Sequence, residues 1–195
     1  MNILCINGSP RRDGSSVLLL QQILAGIQAE EHNVKIWHLR DADIGYCIGC
    51  KACHRTGHCV QRDDVDSILQ DLIAADLVIL ASPSYWGDVT GQMKVFFDRN
   101  TPYSDTNPST DKLVVPLGKS GVAVAVRAGK TERENLHILE TIEHYFGHLG
   151  ITPRGRLSVT GVDTIEDLND QPEALERAYA LGEQLQAEFR EGTPC

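Results

Sequence analysis

The chain has 195 residues, 42% hydrophobic and 23% charged, with 17 Gly and 8 Pro; that size and balance point to one globular domain and exclude a disordered chain or a repeat array. Its 18 basic and 27 acidic side chains give a formal net charge of −9, which repels a phosphate backbone and sets nucleic acid aside as a partner. The longest apolar run, Leu77 to Ala81, is far short of the roughly 20 residues of a membrane helix, and no charged region precedes a long apolar one at the N-terminus. A cytoplasmic protein without a membrane partner is expected.

Along the chain, the run from Asn2 to Asn7 reads as a buried strand and Gly8 to Gly14 as a loop that cannot extend it. After Ser15 the apolar residues Val17, Leu20, Leu24 and Ile27 fall on one helical face, with serines available as caps. Val34 to Leu39 is a second strand. Val65, Ile68, Leu69, Leu72 and Ile73 make an apolar stripe behind the capping candidates Asp63 and Asp64. Leu77 to Ser82 is continuously apolar, as strands covered on both faces are, and a helix carrying Met93, Phe96 and Phe97 follows from about Thr90 to Arg99. Thr101 to Asp111 reads as a surface loop and Gly121 to Val126 as a fourth covered strand. A helix from about Thr131, with Glu134 completing a capping box, ends near Gly147. Ile151 to Ser158 is a fifth strand, and Pro172 to Phe189 a closing helix. Strands alternating with helices in one short chain predict an α/β fold, a flavodoxin-like doubly wound five-stranded parallel sheet of order 2-1-3-4-5 with helices on both faces.

In such sheets ligands sit beyond the carboxyl ends of the strands, which directs attention to Gly8 to Ser16, Pro83 to Gly91 and Arg127 to Lys130. The first loop leads from a strand into a helix N-terminus, where backbone N–H groups and the dipole favour an anion. Its spacing fits neither a Walker A loop nor the Gly-x-Gly-x-x-Gly dinucleotide fingerprint. A monophosphate ligand such as FMN is the natural fit, with serine hydroxyls donating to its oxygens and Arg11 or Arg12 neutralising charge. The second loop, Ser82-Pro83-Ser84-Tyr85-Trp86-Gly87-Asp88, offers aromatics and flexible backbone to a flat ring.

These two stretches, GSPRRDGSS at Gly8 to Ser16 and SPSYWGDVTGQMKVFFDR at Ser82 to Arg99, resemble the NADPH-dependent FMN reductase superfamily. The resemblance implies that Ser9, Arg11, Ser15 and Ser16 hold the FMN phosphate and that Pro83, Ser84, Tyr85, Trp86 and Gly87 cradle the ring. In similar proteins Asn is usual at the position of Ser15, and the third loop is richer in glycine than Arg127-Ala128-Gly129.

Of six cysteines, Cys47, Cys50, Cys53 and Cys59 crowd into thirteen positions, whereas a disulfide framework would spread its staples. The Cys-x2-Cys-x2-Cys-x5-Cys spacing lets one loop wrap a cubane, and Gly45, Gly49, Ala52 and Gly57 supply the small residues such a loop needs. Thiolates also select zinc, with His54 and His58 at hand, or remain unmetallated as a redox switch. Cys5, inside the first strand, reads as core, and Cys195 as an exposed thiol at a frayed end. Asp88 and Lys94 read as solvated or capping residues, and His137, His144 and His148 as surface residues.

The cysteine motif together with the two loops resembles the iron-sulfur flavoprotein family. On that resemblance residues 1–195 form a single flavodoxin-like FMN-binding domain with a cysteine-rich insertion at about 45–60. It implies a flavin-dependent oxidoreductase with a [4Fe–4S] cluster on Cys47, Cys50, Cys53 and Cys59. The protein would be a homodimer or homotetramer that passes electrons from a one-electron donor such as ferredoxin to dioxygen, peroxide or a quinone. No side-chain acid or base is demanded, because the chemistry lies at the flavin. Three alternatives stand beside it: an NAD(P)H-dependent FMN or quinone reductase whose cysteines hold zinc or nothing, a non-enzymatic flavodoxin-like electron shuttle, and a zinc-ordered binding module.

Overall fold

Successive side chains of a strand point to opposite faces, and the first strand uses both. In the computed structural model, which describes residues 1–191, β1 (Asn2–Asn7) sends Leu4 and Ile6 into one core and Ile3 and Cys5 into another. Both faces are apolar because both are covered. The strands β2 (Asn33–His38), β3 (Leu77–Pro83), β4 (Ser120–Val126) and β5 (Thr152–Val159) complete a five-stranded sheet of order β2-β1-β3-β4-β5, in which every named pairing is parallel. The flavodoxin-like fold expected from the alternation is therefore present.

The helices are α1 (Ser15–Ile27), α2 (Cys53–Thr56), α3 (Asp64–Ala74), α4 (Gly91–Arg99), α5 (Arg133–His148), α6 (Ile165–Asn169) and α7 (Pro172–Arg190). Buried residues of α1, α6 and α7 join the core of Ile3 and Cys5, while those of α3, α4 and α5 join the core of Leu4 and Ile6. No helix among the described residues is long and apolar enough to cross a membrane.

Three local expectations need correction. No serine side chain caps α1: its N-cap is Gly14, which has no side chain to do so. The expected capping box at Glu134 is absent, for α5 starts only at Arg133 without a side-chain cap, and Glu134 is drawn into an ion pair with Arg127 instead. The two short helices, α2 and α6, went unread because neither spans enough turns to show a periodicity; α6 carries the capping box of the chain's C-terminal part, between Thr164 and Asp167. Cys5 is fully buried, as expected, and burial pushes its thiol up to about 12. Cys195 lies outside the described residues.

The closest helix crossing joins α1 to α7 through two glycines. A Cβ added at Gly26 would stand 2.1 Å from the Tyr179 carbonyl oxygen, and one at Gly182 would stand 2.1 Å from that of Ile23. Gly182→Ala is therefore expected to lower the unfolding free energy by about 1–3 kcal/mol through overpacking. Gly147→Ala, in open space on α5, is expected to raise it by about 0.5–1 kcal/mol by removing backbone entropy. Urea denaturation of the two variants measures both.

Candidate functional site

The loops after β1, β3 and β4 converge, as the switch point between β1 and β3 requires. Together with residues that follow β5 they line a cavity of about 120 Å³ walled by Ser9, Arg11, Gly14, Ser15, Ser16, Pro83, Ser84, Tyr85, Arg127 and Asp163, among others. That volume is below the roughly 300–1,000 Å³ of pockets that swallow a whole drug-sized ligand. It suits the anionic end of a longer molecule whose remainder lies along the rim.

The first loop is stiffened from within. The Ser9 amide donates to Asn7 Oδ1 at 3.0 Å and the Arg11 amide to Ser9 Oγ at 3.1 Å. Gly8 is closely packed: a Cβ there would stand 2.8 Å from Met93 Cε and 3.2 Å from Thr90 Oγ1, so the end of Met93 would have to shift. Ser15 Oγ is turned away to donate to the Thr164 carbonyl at 3.0 Å. The first turn of α1 therefore meets the cavity without a side-chain cap, and free amides at a helix N-terminus are an anion site. Arg11 leans over it, donating to the Asp163 carbonyl at 2.5 Å.

The second loop makes a tight turn in which the amides and carbonyls of Tyr85 and Asp88 bond reciprocally at 2.9 and 3.2 Å. Its central residues, Trp86 (φ 57°) and Gly87 (φ 79°), both have the positive φ of a type I′ turn, a conformation costly for a bulky residue. Trp86 stands wholly in solvent. Of the five residues expected to cradle a ring, Pro83, Ser84 and Tyr85 line the cavity, whereas Trp86 and Gly87 sit at the loop tip outside its lining. Asp88 caps its own turn through the Val89 amide, and Lys94 pairs with Asp98, in keeping with their reading as structural.

The sequence singles out the loop Arg127 to Lys130 but gives Arg127 itself no role. Its side chain, only 13% exposed, donates to the Thr131 carbonyl and hydroxyl at 2.8 Å each and pairs with Glu134 at 2.8 Å. Its Nε is buried and finds no acceptor. A buried donor in that state costs about 1–3 kcal/mol, so an acceptor is owed to it. The signal for it is its place in the loop after β4, which in similar proteins is richer in glycine.

The cysteines lie on a long loop closed at its neck. Asp64 N donates to the Asp43 carbonyl at 3.0 Å, Asp43 N to Asp64 Oδ2 at 2.7 Å, and Gln61 Nε2 to the Tyr46 carbonyl at 2.9 Å. Arg99, the last residue of α4 and 2% exposed, pins that neck. Its guanidinium binds both oxygens of Asp63, at 2.5 and 3.2 Å, and the Gly45 carbonyl at 2.8 Å. Asp63 also caps α3 by accepting from the Val65 amide and takes the Gly45 amide at 3.0 Å. Burial pushes the Asp63 carboxyl up, but the hydrogen bonds from Arg99, Gly45 and Val65 and the Arg99 charge outweigh it and hold the group below its ordinary range.

Within the loop all four thiols are free, with Cys47 and Cys50 exposed and Cys53 and Cys59 half-buried. Gly49 (φ 64°) and Lys51 (φ 55°) curl the backbone between them. The Cys53 thiol is raised by burial and by the fields of Cys59, Cys47 and Cys50, so the four sense one another. Arg99 lies in the field of Cys59 as well. As a donor set this suits a soft, multiply charged metal centre. No three His, Cys, Asp or Glu side chains converge as metal ligands among the described residues, His54 and His58 included. His144 and His148, expected as surface residues, face one another, with Nε2 atoms 3.0 Å apart and Asp105 2.6 Å from His148 Nδ1.

The model of the NADPH-dependent FMN reductase family matches residues 1–148. An iron-sulfur flavoprotein of Archaeoglobus fulgidus is 34% identical over 189 residues, which cover 97% of this chain and 80% of that one. Another, of Methanocaldococcus jannaschii, is 32% identical over 191 residues and 95% of each chain. An NAD(P)H:quinone oxidoreductase structure from Methanothermobacter marburgensis superposes with a TM-score of 0.72 at 17% identity, covering 95% of this chain and 97% of that one; at that identity the likeness is one of fold.

Arg99→Met is expected to destabilise the protein by about 3–5 kcal/mol, because it leaves a buried carboxylate without its partner. The Asp63 ion pair also sets an acid limb. A carboxyl held below its unfolded value near 3.9 contributes stability that is full above that value and lost as pH falls through the folded one. Asp63→Asn is expected to flatten the fall in stability below about pH 4, read from denaturant midpoints across pH.

Proposed function

The chain belongs to the NADPH-dependent FMN reductase family and stands within it among the iron-sulfur flavoproteins, and from that premise we propose how this flavin-dependent oxidoreductase is loaded and driven. FMN binds with its phosphate in the cavity beyond the carboxyl ends of β1, β3 and β4. The observation that carries this reading is the single cavity joining the uncapped start of α1 to the loop after β3. Ser9 and Ser16 offer hydroxyls to the phosphate, Ser15 and Ser16 the amides of the first turn of α1, and Arg11 supplies charge. Pro83, Ser84 and Tyr85 bear on the ring, and Trp86 and Gly87 shape the turn that presents it. Bound flavin supplies hydride acceptance and one-electron exchange; the chain supplies placement, dielectric and charge.

Cys47, Cys50, Cys53 and Cys59 are proposed to hold a [4Fe–4S] cluster, which would store single electrons arriving from a ferredoxin-like donor for delivery to dioxygen, peroxide or a quinone. The support is chemical: four free thiols in one another's fields, on a loop whose neck Arg99 and Asp63 hold shut. Assembly as a homodimer or homotetramer belongs to the same proposal. A second reading, an NAD(P)H-dependent FMN or quinone reductase without a cluster, is favoured by the absence of converged metal ligands among the described residues.

Anaerobic purification with analysis of iron, acid-labile sulfide, zinc and flavin separates the readings. The cluster reading expects iron and sulfide in equal amounts together with flavin, and expects Cys50→Ser to lose iron while keeping flavin. Flavin with no iron or sulfide in air-free protein leaves the second reading. In either case Ser16→Glu, which sets a carboxylate against the phosphate, is expected to weaken FMN binding at least tenfold, about 1.4 kcal/mol, in a fluorescence titration.

A further inference from the structure

We infer that Arg127 is the residue that makes this site prefer reduced flavin over oxidised flavin. The inference rests on FMN occupying the cavity and goes beyond it, for it assigns a potential-setting role to a side chain outside the loops that carry the family resemblance.

With the phosphate at the start of α1 and the ring along Pro83 to Tyr85, the remaining walls are the loop after β4 and Val162 and Asp163 beyond β5, and Arg127 is the cationic side chain of those walls. The guanidinium is folded back over that loop. A Cβ at residue 129 would stand 2.4 Å from Arg127 NH2, so Gly129 is what permits the fold. Two of its three nitrogens are engaged, NH1 by Thr131 and NH2 by Glu134. The third, Nε, is buried without an acceptor.

The ion pair does not cancel the charge that the cavity feels. Arg127 is 13% exposed and Glu134 45%, so solvent screens the carboxylate far more than the guanidinium. The charged side chains of the lining are Arg11, Arg127 and Asp163, with Glu134 behind Arg127, so the cavity is not acidic although the chain has a net charge of −9. Oxidised FMN takes up two electrons and one proton, as a hydride delivered to N5 by a nicotinamide, and so gains one negative charge on its N1–C2 carbonyl edge. A cation within reach of that edge binds the reduced form more tightly than the oxidised one, which raises the potential. Glu134 has a second part. It takes the Ser84 hydroxyl at 3.4 Å and packs under Gly87, whose added Cβ would lie 3.3 Å from Glu134 Cγ; it thus aims the guanidinium and joins the two loops.

The test measures FMN dissociation constants for the full-length protein in its oxidised and dithionite-reduced states. Arg127→Gln is expected to weaken binding of reduced FMN about tenfold more than that of oxidised FMN, a fall of about 30 mV in the two-electron midpoint. Arg127→Lys is expected to recover most of that ratio. Glu134→Gln, which removes the counter-charge and keeps the guanidinium, is expected to shift the ratio in the opposite direction. An unchanged ratio in Arg127→Gln, or shifts of the same sign in Arg127→Gln and Glu134→Gln, overturns the assignment and leaves the pair as a structural latch. Unaltered protein that binds FMN in neither state overturns the flavin reading beneath it.

Discussion

The ion pair between Arg99 and Asp63 is the constraint on which the arrangement of the two sites depends. Residues 42–52 have no regular secondary structure and α2 is a single turn, so the cysteine loop has little of its own to hold a shape. Its neck is closed by one carboxylate doing three things: capping α3, receiving the Gly45 amide and gripping Arg99. Burying two charges is costly, and a buried pair repays that only when geometry is good and the remaining donors are satisfied. Here the fork meets both carboxylate oxygens and a backbone carbonyl, and one nitrogen, Nε, is left over. The pair therefore contributes register more than net stability.

The helix that carries Arg99 begins at the other site. Thr90 caps α4, and its hydroxyl donates to the Gly8 carbonyl at 2.6 Å while its amide donates to the Ser82 hydroxyl oxygen at 3.1 Å. One residue thus ties together the loop after β1, the end of β3 and the start of α4. Nine residues later, at about 1.5 Å per residue, the same helix delivers a guanidinium to the cysteine loop. Helix α4 is a rigid strut of about 14 Å between the cavity rim and the neck, and Phe96, buried on it among the core residues, keeps it from sliding.

Much of this was legible in the chain, for identifiable reasons. The covered strands LVILAS and GVAVAV declare themselves because both faces are buried, and the sheet order follows from the alternation of strand and helix. The cysteine spacing and the loop after β1 are local, so their chemistry can be read in place. What escaped was long-range. Arg99 looks like any helix-ending arginine until Asp63 and Gly45, dozens of positions away, are folded around it. Glu134 satisfies a capping pattern, but Arg127 competes for it and wins, since a carboxylate gains more from a half-buried guanidinium than from a backbone amide. His144 and His148 read singly as surface residues, though four positions apart is one helical turn.

Several failures of local reasoning gather in one region, beside others that lie elsewhere, such as the acceptorless Nε of Arg99 and the left-handed Gln28. A serine that ought to cap α1 turns its hydroxyl to Thr164 and leaves the helix end open; a tryptophan takes a backbone conformation suited to glycine; an arginine keeps a buried N–H with no acceptor; four thiols share a field. Each is a small cost that folding alone does not explain. All but the thiols lie on the loops beyond the carboxyl ends of β1, β3 and β4, and the thiols lie at the far end of the strut that starts there. Chains accept such conflicts where a ligand resolves them. An anion would satisfy α1, a polar ring edge would satisfy Arg127, and a metal centre would satisfy the cysteines. The conflicts therefore outline the shape and charge of what the molecule is built to hold.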